Sequence, residues 1–426
     1  MMPNIIIIVV DALRTRNLSL YGYKRETDKN MKKIASESVF FSNNFSTSNT
    51  SYPSLTSIFS GLYQTNHGIM HQYPYMEKEE LEKLKKIKFW LPTYLQSKGY
   101  NTLSITPQVM WFKKGFDYIG EEPKTRYEKF KENKIIKKIL LKLPNFLYSF
   151  AKKIMKQESG SGFAPPDEAM NFAISKIKNI SKKPEPFFAF MHFEYTHFPY
   201  PTIKVPKVRG TTTLNDILRK VKTKSQQEYI KKRFYDIKLK YLEEIKAKYD
   251  SAVIEIDIQI GRLYNFLKQE KLFDNSIFII LADHGECLDE HGIYLGRGGV
   301  YDEMIHVPLI MRFPEIKGEK IDELTQSIDI APTILDFLGE KEQKIDGKSL
   351  LELIKRGKPV RSEIFAYDGI CKDRQAIRTK TKKKIITAED GKCYICGAKH
   401  GRGIEEYDLK KDPLELKNIS KDISNE

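Results

Sequence analysis

Pro3-Asn4-Ile5-Ile6-Ile7-Ile8-Val9-Val10-Asp11 limits the folds open to this chain more than any other stretch. An unbroken β-branched run offers water no polar face. It suits a strand covered on both sides, as in a parallel sheet between helices. A second run has the same grammar: Ser276-Ile277-Phe278-Ile279-Ile280-Leu281-Ala282, followed by Asp283-His284-Gly285-Glu286. Each strand delivers a carboxylate to its carboxyl end, the edge at which open α/β sheets bind ligands. Asp11 has a plainer reading as the cap of a short helix over Ala12–Arg16, and Arg14 is then a solvated helix charge instead of an anion-facing guanidinium. Two carboxylates and an imidazole at the ends of separate strands can converge on one divalent cation. Mixed oxygen and nitrogen donors suit Mn²⁺, Zn²⁺ or Mg²⁺, with Ca²⁺ where carboxylates dominate.

Between these runs the patterns alternate. Asp28–Ser38, Phe89–Lys98 and Asp250–Gln269 have helical periodicity, while Phe40–Phe45, Asn101–Thr106 and Pro186–His192 read as strands. The alternation predicts an α/β protein with a central, mostly parallel sheet flanked by helices. Asn49–Gly61 sets Ser51 just before Tyr52-Pro53-Ser54 and the amphipathic run Leu55–Phe59. A hydroxyl there sits at a helix N-terminus, where free N–H groups favour an oxyanion, although Ser before Pro is also ordinary capping chemistry. His192 and His197 bracket another strand end, where a lone His is more often a packed core residue.

Two Lys-rich stretches, Arg126–Lys156 and Lys204–Lys248, interrupt the rhythm. The first has the basic amphipathic character of a segment that lies on a membrane surface, and equally that of an insertion with its Lys in water. The second reads as a largely helical cap or lid, and Ser159–Gly162 as a flexible link. With 426 residues the chain has room for two or three domains, and its formal charge of +16 favours polyanions, anionic membranes or acidic substrates. Four cysteines make no disulfide framework, and no apolar run reaches spanning length. The expected location is the cytoplasm, peripheral to a membrane if the Lys-rich segments bind one. Cys393 and Cys396 with Cys371 and His400 have the donors of a Cys₃His zinc site, but also suit a β-hairpin that happens to contain cysteine.

In order along the chain, these pieces resemble the sulfatase family of the alkaline phosphatase superfamily. Asn4–Arg14 with Leu18–Tyr23 is similar to the family's first strand and metal loop, and Ser51-x-Pro53-Ser54 with Gly61 to its nucleophile motif. His197-Phe198-Pro199-Tyr200 resembles the substrate-side histidine loop, and Asp283-His284-Gly285-Glu286 with Glu290-His291-Gly292 the second metal loop. Tyr301-Asp302-Glu303, Asp329–Leu335, Asp346–Leu350 and Tyr407-Asp408-Leu409 keep the later spacing. The resemblance implies an alkaline-phosphatase-like α/β sandwich over 1–340 and a small C-terminal α+β region over 341–426. Two departures stand out. Leu55 replaces the Arg of the formylglycine signature, which implies that Ser51 is used unmodified. Ala12 follows Asp11 where many sulfatases have paired aspartates.

The implied mechanism has Asp11, Asp283 and His284 holding a divalent cation that also contacts Ser51. Ser51 attacks sulfur or phosphorus to give a covalent intermediate, with Thr50 as the fallback nucleophile. His197 would serve the leaving oxygen, and Arg14 and Arg297 the non-bridging oxygens. Sulfuric ester hydrolysis is the leading reading. Phosphodiester hydrolysis, or transfer of phospholipid head groups, fits the same residues. An inactive member that binds membrane or acidic polysaccharide is the third reading. No feature points to a specific nucleic acid partner.

Overall fold

The two apolar runs lie side by side at the centre of one sheet in the computed structural model, which describes residues 2–72, 76–106, 110–120, 166–200, 208–221, 223–237, 239–341, 343–370, 374–393 and 399–421. The strands are β1 (Asn4–Val10), β2 (Val39–Phe41), β3 (Asn44–Phe45), β4 (Asn101–Ile105), β5 (Tyr118–Gly120), β6 (Phe187–Phe193), β7 (Ser276–Leu281), β8 (Leu309–Arg312) and β9 (Glu319–Ile321). All but β3 form an eight-stranded sheet in the order β5-β4-β6-β1-β7-β8-β2-β9. Pairing is parallel throughout except where β8 runs against β7 and β2. In the centre, β1 pairs with β6 and β7, and Val9 stands opposite both His192 and Leu281. Three strands therefore end level with one another.

Alternate residues of β1 serve opposite layers, which explains why the run has no polar position. Ile6, Ile8 and Val10 pack with α1 (Lys29–Ala35), α4 (Pro166–Ile180) and α6 (Leu242–Gln269). Ile5, Ile7 and Val9 pack with α2 (Ser51–Ser60), α3 (Leu91–Ser97) and α7 (Ile330–Phe337). Thr325–Gln326 (β10) pairs with β3. The chain ends in an antiparallel sheet of β11 (Glu363–Tyr367), β12 (Arg374–Thr379), β13 (Lys382–Thr387) and β16 (Gly403–Asp408). Gly391–Lys392 (β14) and Lys399–His400 (β15) pair as a hairpin.

Several expectations change. Phe40–Phe45 is not one strand: its two halves, β2 and β3, join different sheets. No helix covers Ala12–Arg16; the first turn is a short 3₁₀ segment at Thr15–Asn17. The Asp250–Gln269 helix begins earlier, at Leu242, inside the second Lys-rich stretch. That stretch also contains Leu214–Lys220 and α5 (Lys224–Ile237). The Arg126–Lys156 insertion, the Ser159–Gly162 link, Cys371 and Cys396 lie outside the described residues. Among the described residues no helix is long and apolar enough to cross a membrane.

Candidate active site

The level strand ends gather a buried cluster. Asp11, Asp283 and His284 offer ligand atoms that all lie within 4.8 Å of one another. Asp283 Oδ1 accepts the backbone N–H groups of His284 at 2.9 Å and Ala12 at 3.3 Å, while its Oδ2 accepts no hydrogen bond. Ala12 holds φ at 58°, a left-handed conformation that costs a residue with a Cβ about 1–2 kcal/mol. Asp11 Oδ1 also accepts no hydrogen bond and lies 3.3 Å from His284 Nε2. His284 Nδ1 is 2.7 Å from the Gly285 carbonyl, which can only accept. Nδ1 therefore carries the proton and the Nε2 lone pair faces the cluster. Burial lowers this imidazole to about 4, so it is neutral at pH 7.

Burial and the Asp283 charge push Asp11 well above the ordinary carboxylate range. Asp283 is held below that range, against burial, by His284 and His192. Two buried carboxylates resist ionising side by side, and here each presents an oxygen that accepts nothing. This donor set fits a divalent cation.

His192 is fully buried, but its neighbours are charged. Its Nε2 lies 3.5 Å from Asp283 Oδ2 and 4.0 Å from Asp11 Oδ2. Burial disfavours the imidazolium, yet the two carboxylates outweigh it and bring His192 to about 9. Its place opposite Val9 is the signal that sequence reasoning lacked.

Ser51 opens α2 directly after Thr50, whose φ of −145° and ψ of 152° are extended. Pro53 in the first turn gives up no intrahelical hydrogen bond. Gln72 Oε1 accepts the Tyr52 N–H at 2.9 Å, and Gly61 ends the helix at φ 66°. Ser51 Oγ lies 3.3 Å from His284 Nε2. Ser54, one turn on, donates to the Asp283 carbonyl at 2.7 Å and so ties the helix start to the end of β7. Thr50 faces elsewhere: its Oγ1 is 3.3 Å from Ser48 Oγ, and a Cβ on Gly369 would come within 2.1 Å of it. Leu55 is wholly buried in the apolar layer.

Asn49 is a further residue missed from sequence. Its Nδ2 lies 2.7 Å from the Arg297 carbonyl and 2.8 Å from both the Gly299 carbonyl and Asp368 Oδ1. Its Oδ1 accepts the Gly369 N–H at 2.8 Å. One amide thus joins the loop before α2 to two distant loops.

His67 pins the other side of α2. Ile69 N–H donates to Nδ1 at 3.0 Å, so the proton sits on Nε2, 3.0 Å from Ser57 Oγ. Burial lowers this imidazole to about 3. A folded pKa below the unfolded one gives stability that is present above about pH 6.5 and lost as pH falls toward about 3. At pH 4 the loss is expected to reach about 3 kcal/mol. In urea unfolding, the stability gap between wild type and His67→Gln should therefore narrow from pH 7 to pH 4. A constant gap would rule the titration out.

Arg297 Nη1 lies 3.4 Å from His284 Nε2. His197 Nδ1 is 2.6 Å from the Phe198 carbonyl, which leaves Nε2 free. Burial, then the nearby Arg297, His284 and Arg233, lower this imidazole well below its ordinary value. Arg14, the other guanidinium offered as anion-facing, is held in an ion pair. Its guanidinium lies 2.5 and 3.2 Å from the two Glu290 carboxylate oxygens and donates to the Glu286 carbonyl at 2.9 Å, so its charge is already matched. Among the described residues a second donor group, His291, Glu303 and Glu415, is also balanced, by Arg16 at 2.8 Å and Lys383 at 2.7 Å.

The sulfatase family profile matches residues 3–340, and one described as N-sulphoglucosamine sulphohydrolase, C-terminal, matches residues 289–426. The chain is 26% identical over 501 residues to an N-acetylglucosamine-6-O-sulfatase of Bacteroides thetaiotaomicron, covering 98% of this chain and 82% of the relative. It is 26% identical over 451 residues to an arylsulfatase of Clostridium perfringens, covering 98% and 90%. Its fold is similar to that of BT4656, solved with its substrate D-glucosamine-2-N,6-O-disulfate, at a TM-score of 0.67 and 22% identity over 98% of this chain and 93% of that one. A phosphonate monoester hydrolase of Agrobacterium radiobacter gives 0.67 at 20% identity, over 98% and 91%.

Proposed function

The chain belongs to the sulfatase family, and from that membership we propose that this sulfuric ester hydrolase works through Ser51, with a divalent cation held by Asp11, Asp283 and His284. The carrying observation is the position of Ser51 Oγ, 3.3 Å from the unprotonated Nε2 of His284 and beside carboxylate oxygens that accept no hydrogen bond. When bound, the cation supplies Lewis acidity, which eases loss of the hydroxyl proton and polarises the ester. Ser51 attacks sulfur: the Oγ–S bond forms, the bond to the leaving oxygen breaks, and water later releases the sulfo-seryl group. Arg297 is the guanidinium left for the non-bridging oxygens. Arg14, neutralised by Glu290, fixes the 286–290 loop instead.

His197 keeps Nε2 for the leaving oxygen, and the negative charge of an arriving sulfate raises the imidazole toward the protonated form that an acid needs. Ala12 leaves the cation one carboxylate short of the paired-aspartate arrangement. Residues 1–340 form the proposed catalytic unit and 341–426 its C-terminal subdomain. The cysteine content supports a reducing compartment, the cytoplasm.

The test is a panel of sulfate monoesters, phosphonate monoesters and phosphodiesters sharing one leaving group, with Mn²⁺, Mg²⁺, Ca²⁺ or Zn²⁺ added to chelator-treated protein. Sulfate-ester turnover restored by a cation is the expected result. Phosphodiester turnover with no sulfatase activity would overturn the reading.

A further inference from the structure

Arg233 lies on α5, in the Lys-rich stretch that the sequence offers as a largely helical cap or lid. Its guanidinium stands 4.1 Å from the centre of the Phe198 ring and 4.7 Å from that of Tyr229. Contacts with two rings use no N–H group in a hydrogen bond to an acid, and a planar guanidinium presents its donors as a fork suited to acidic oxygens. Among the described residues no carboxylate lies within ion-pair distance of Arg233, unlike Arg14 and Arg16, each matched to a Glu.

The base beneath Arg233 is rigid. Ile230, Phe234 and Ile237 of α5 are buried in the main core. Tyr229 donates to the Leu295 carbonyl at 2.7 Å and Gln226 to that of Gly292 at 3.0 Å. These bonds seat α5 on the loop that carries Arg297. Two guanidiniums therefore act on His197: Arg297, which lies 3.4 Å from His284 Nε2, and Arg233, which lies over the ring of the next residue, Phe198.

We propose that Arg233 is a second anion site on the leaving-group side, which selects sulfate esters whose released portion carries another acidic oxygen group. This inference rests on the sulfatase reading for what counts as the leaving-group side. The substrate class is then a polyanionic sulfate ester, such as a multiply sulfated sugar, in keeping with the formal charge of +16.

The experiment compares disulfated and monosulfated forms of one hexosamine. The ratio of their kcat/KM values is expected to fall about tenfold or more in Arg233→Gln, the scale of one lost charge-assisted contact. Arg233→Lys, which keeps charge but not the fork, should give an intermediate ratio and serves alone if the Gln variant does not fold. An unchanged ratio in the variants overturns the proposal. Calorimetric binding of the same two sugars to Ser51→Ala reads the site without turnover. If wild type cleaves no sulfate ester yet an Arg233-dependent preference in binding persists, the hydrolase reading falls and the anion site stands. Equal binding of the two sugars overturns the anion site.

Discussion

Ser51→Ala is expected to lower kcat for a sulfate ester by on the order of 10⁴-fold, because it removes the hydroxyl that lies 3.3 Å from His284 Nε2 and is proposed to form the covalent bond. The neighbouring Thr50→Ala provides the contrast. Thr50 Oγ1 is turned to Ser48 and packed on Gly369, so its loss should change kcat less than about tenfold. The two variants start from the same helix end and differ only in which hydroxyl faces His284 Nε2. Steady-state kinetics with a fixed excess of cation decides between them. Should Ser51→Ala keep turnover within tenfold of wild type, Ser51 is not the nucleophile. Intact mass after rapid quench adds an independent reading, since a sulfo-seryl adduct would appear in the wild type alone.

The second large effect concerns folding. Lys383 is 2% exposed and lies 2.8 Å from Asp302 Oδ1 and 2.7 Å from Glu415 Oε1. Arg378 adds contacts of 3.1 and 3.2 Å to Asp302. Burial lifts the Glu415 carboxyl to about 7 even against the pull of Lys383. Against burial, Arg378 and Lys383 hold Asp302 far below the ordinary range. Lys383→Met removes the shared cation and is expected to destabilise the protein by about 3–5 kcal/mol, the usual cost of stranding a buried charge. Urea unfolding measures it, and a loss under about 1 kcal/mol would mean that water or a side-chain shift repairs the site. Adding Glu415→Gln to Lys383→Met should recover part of the loss, because the stranded acid is then gone. Activity should decline as well, since Gly285 N–H donates to the Met304 carbonyl at 2.7 Å, just beyond Asp302.

The central strands and the Asp283-His284 turn could be read from sequence because burial on both faces leaves an unbroken apolar signature. Ser51 was readable because its helix start follows in the next layer. His192 was not, because a buried histidine among apolar residues looks the same whether its partners are rings or carboxylates, and only the register of β6 on β1 decides. The pairing of Arg14 with Glu290 spans 276 residues and leaves no local pattern. Phe40–Phe45 reads as one strand from the phenylalanines at its two ends, yet the polar Ser42-Asn43 between them is where β2 and β3 part to join separate sheets. Arg233 was hidden by its surroundings, where lysines in a helical stretch suggest a solvated face.

Asn49 bonds to Asp368 and Gly369, and Asp302 to Glu415, so the start of α2 and the loop after β7 both lean on residues near the end of the chain. During synthesis those partners emerge after the strands of the central sheet. A ribosome-bound chain that has already paired β1, β6 and β7 still lacks the clamps that seat Ser51 against His284. Chemical competence is therefore expected to appear as a late step, after most of the core has formed, and a product released short of residue 368 should be compact but inert.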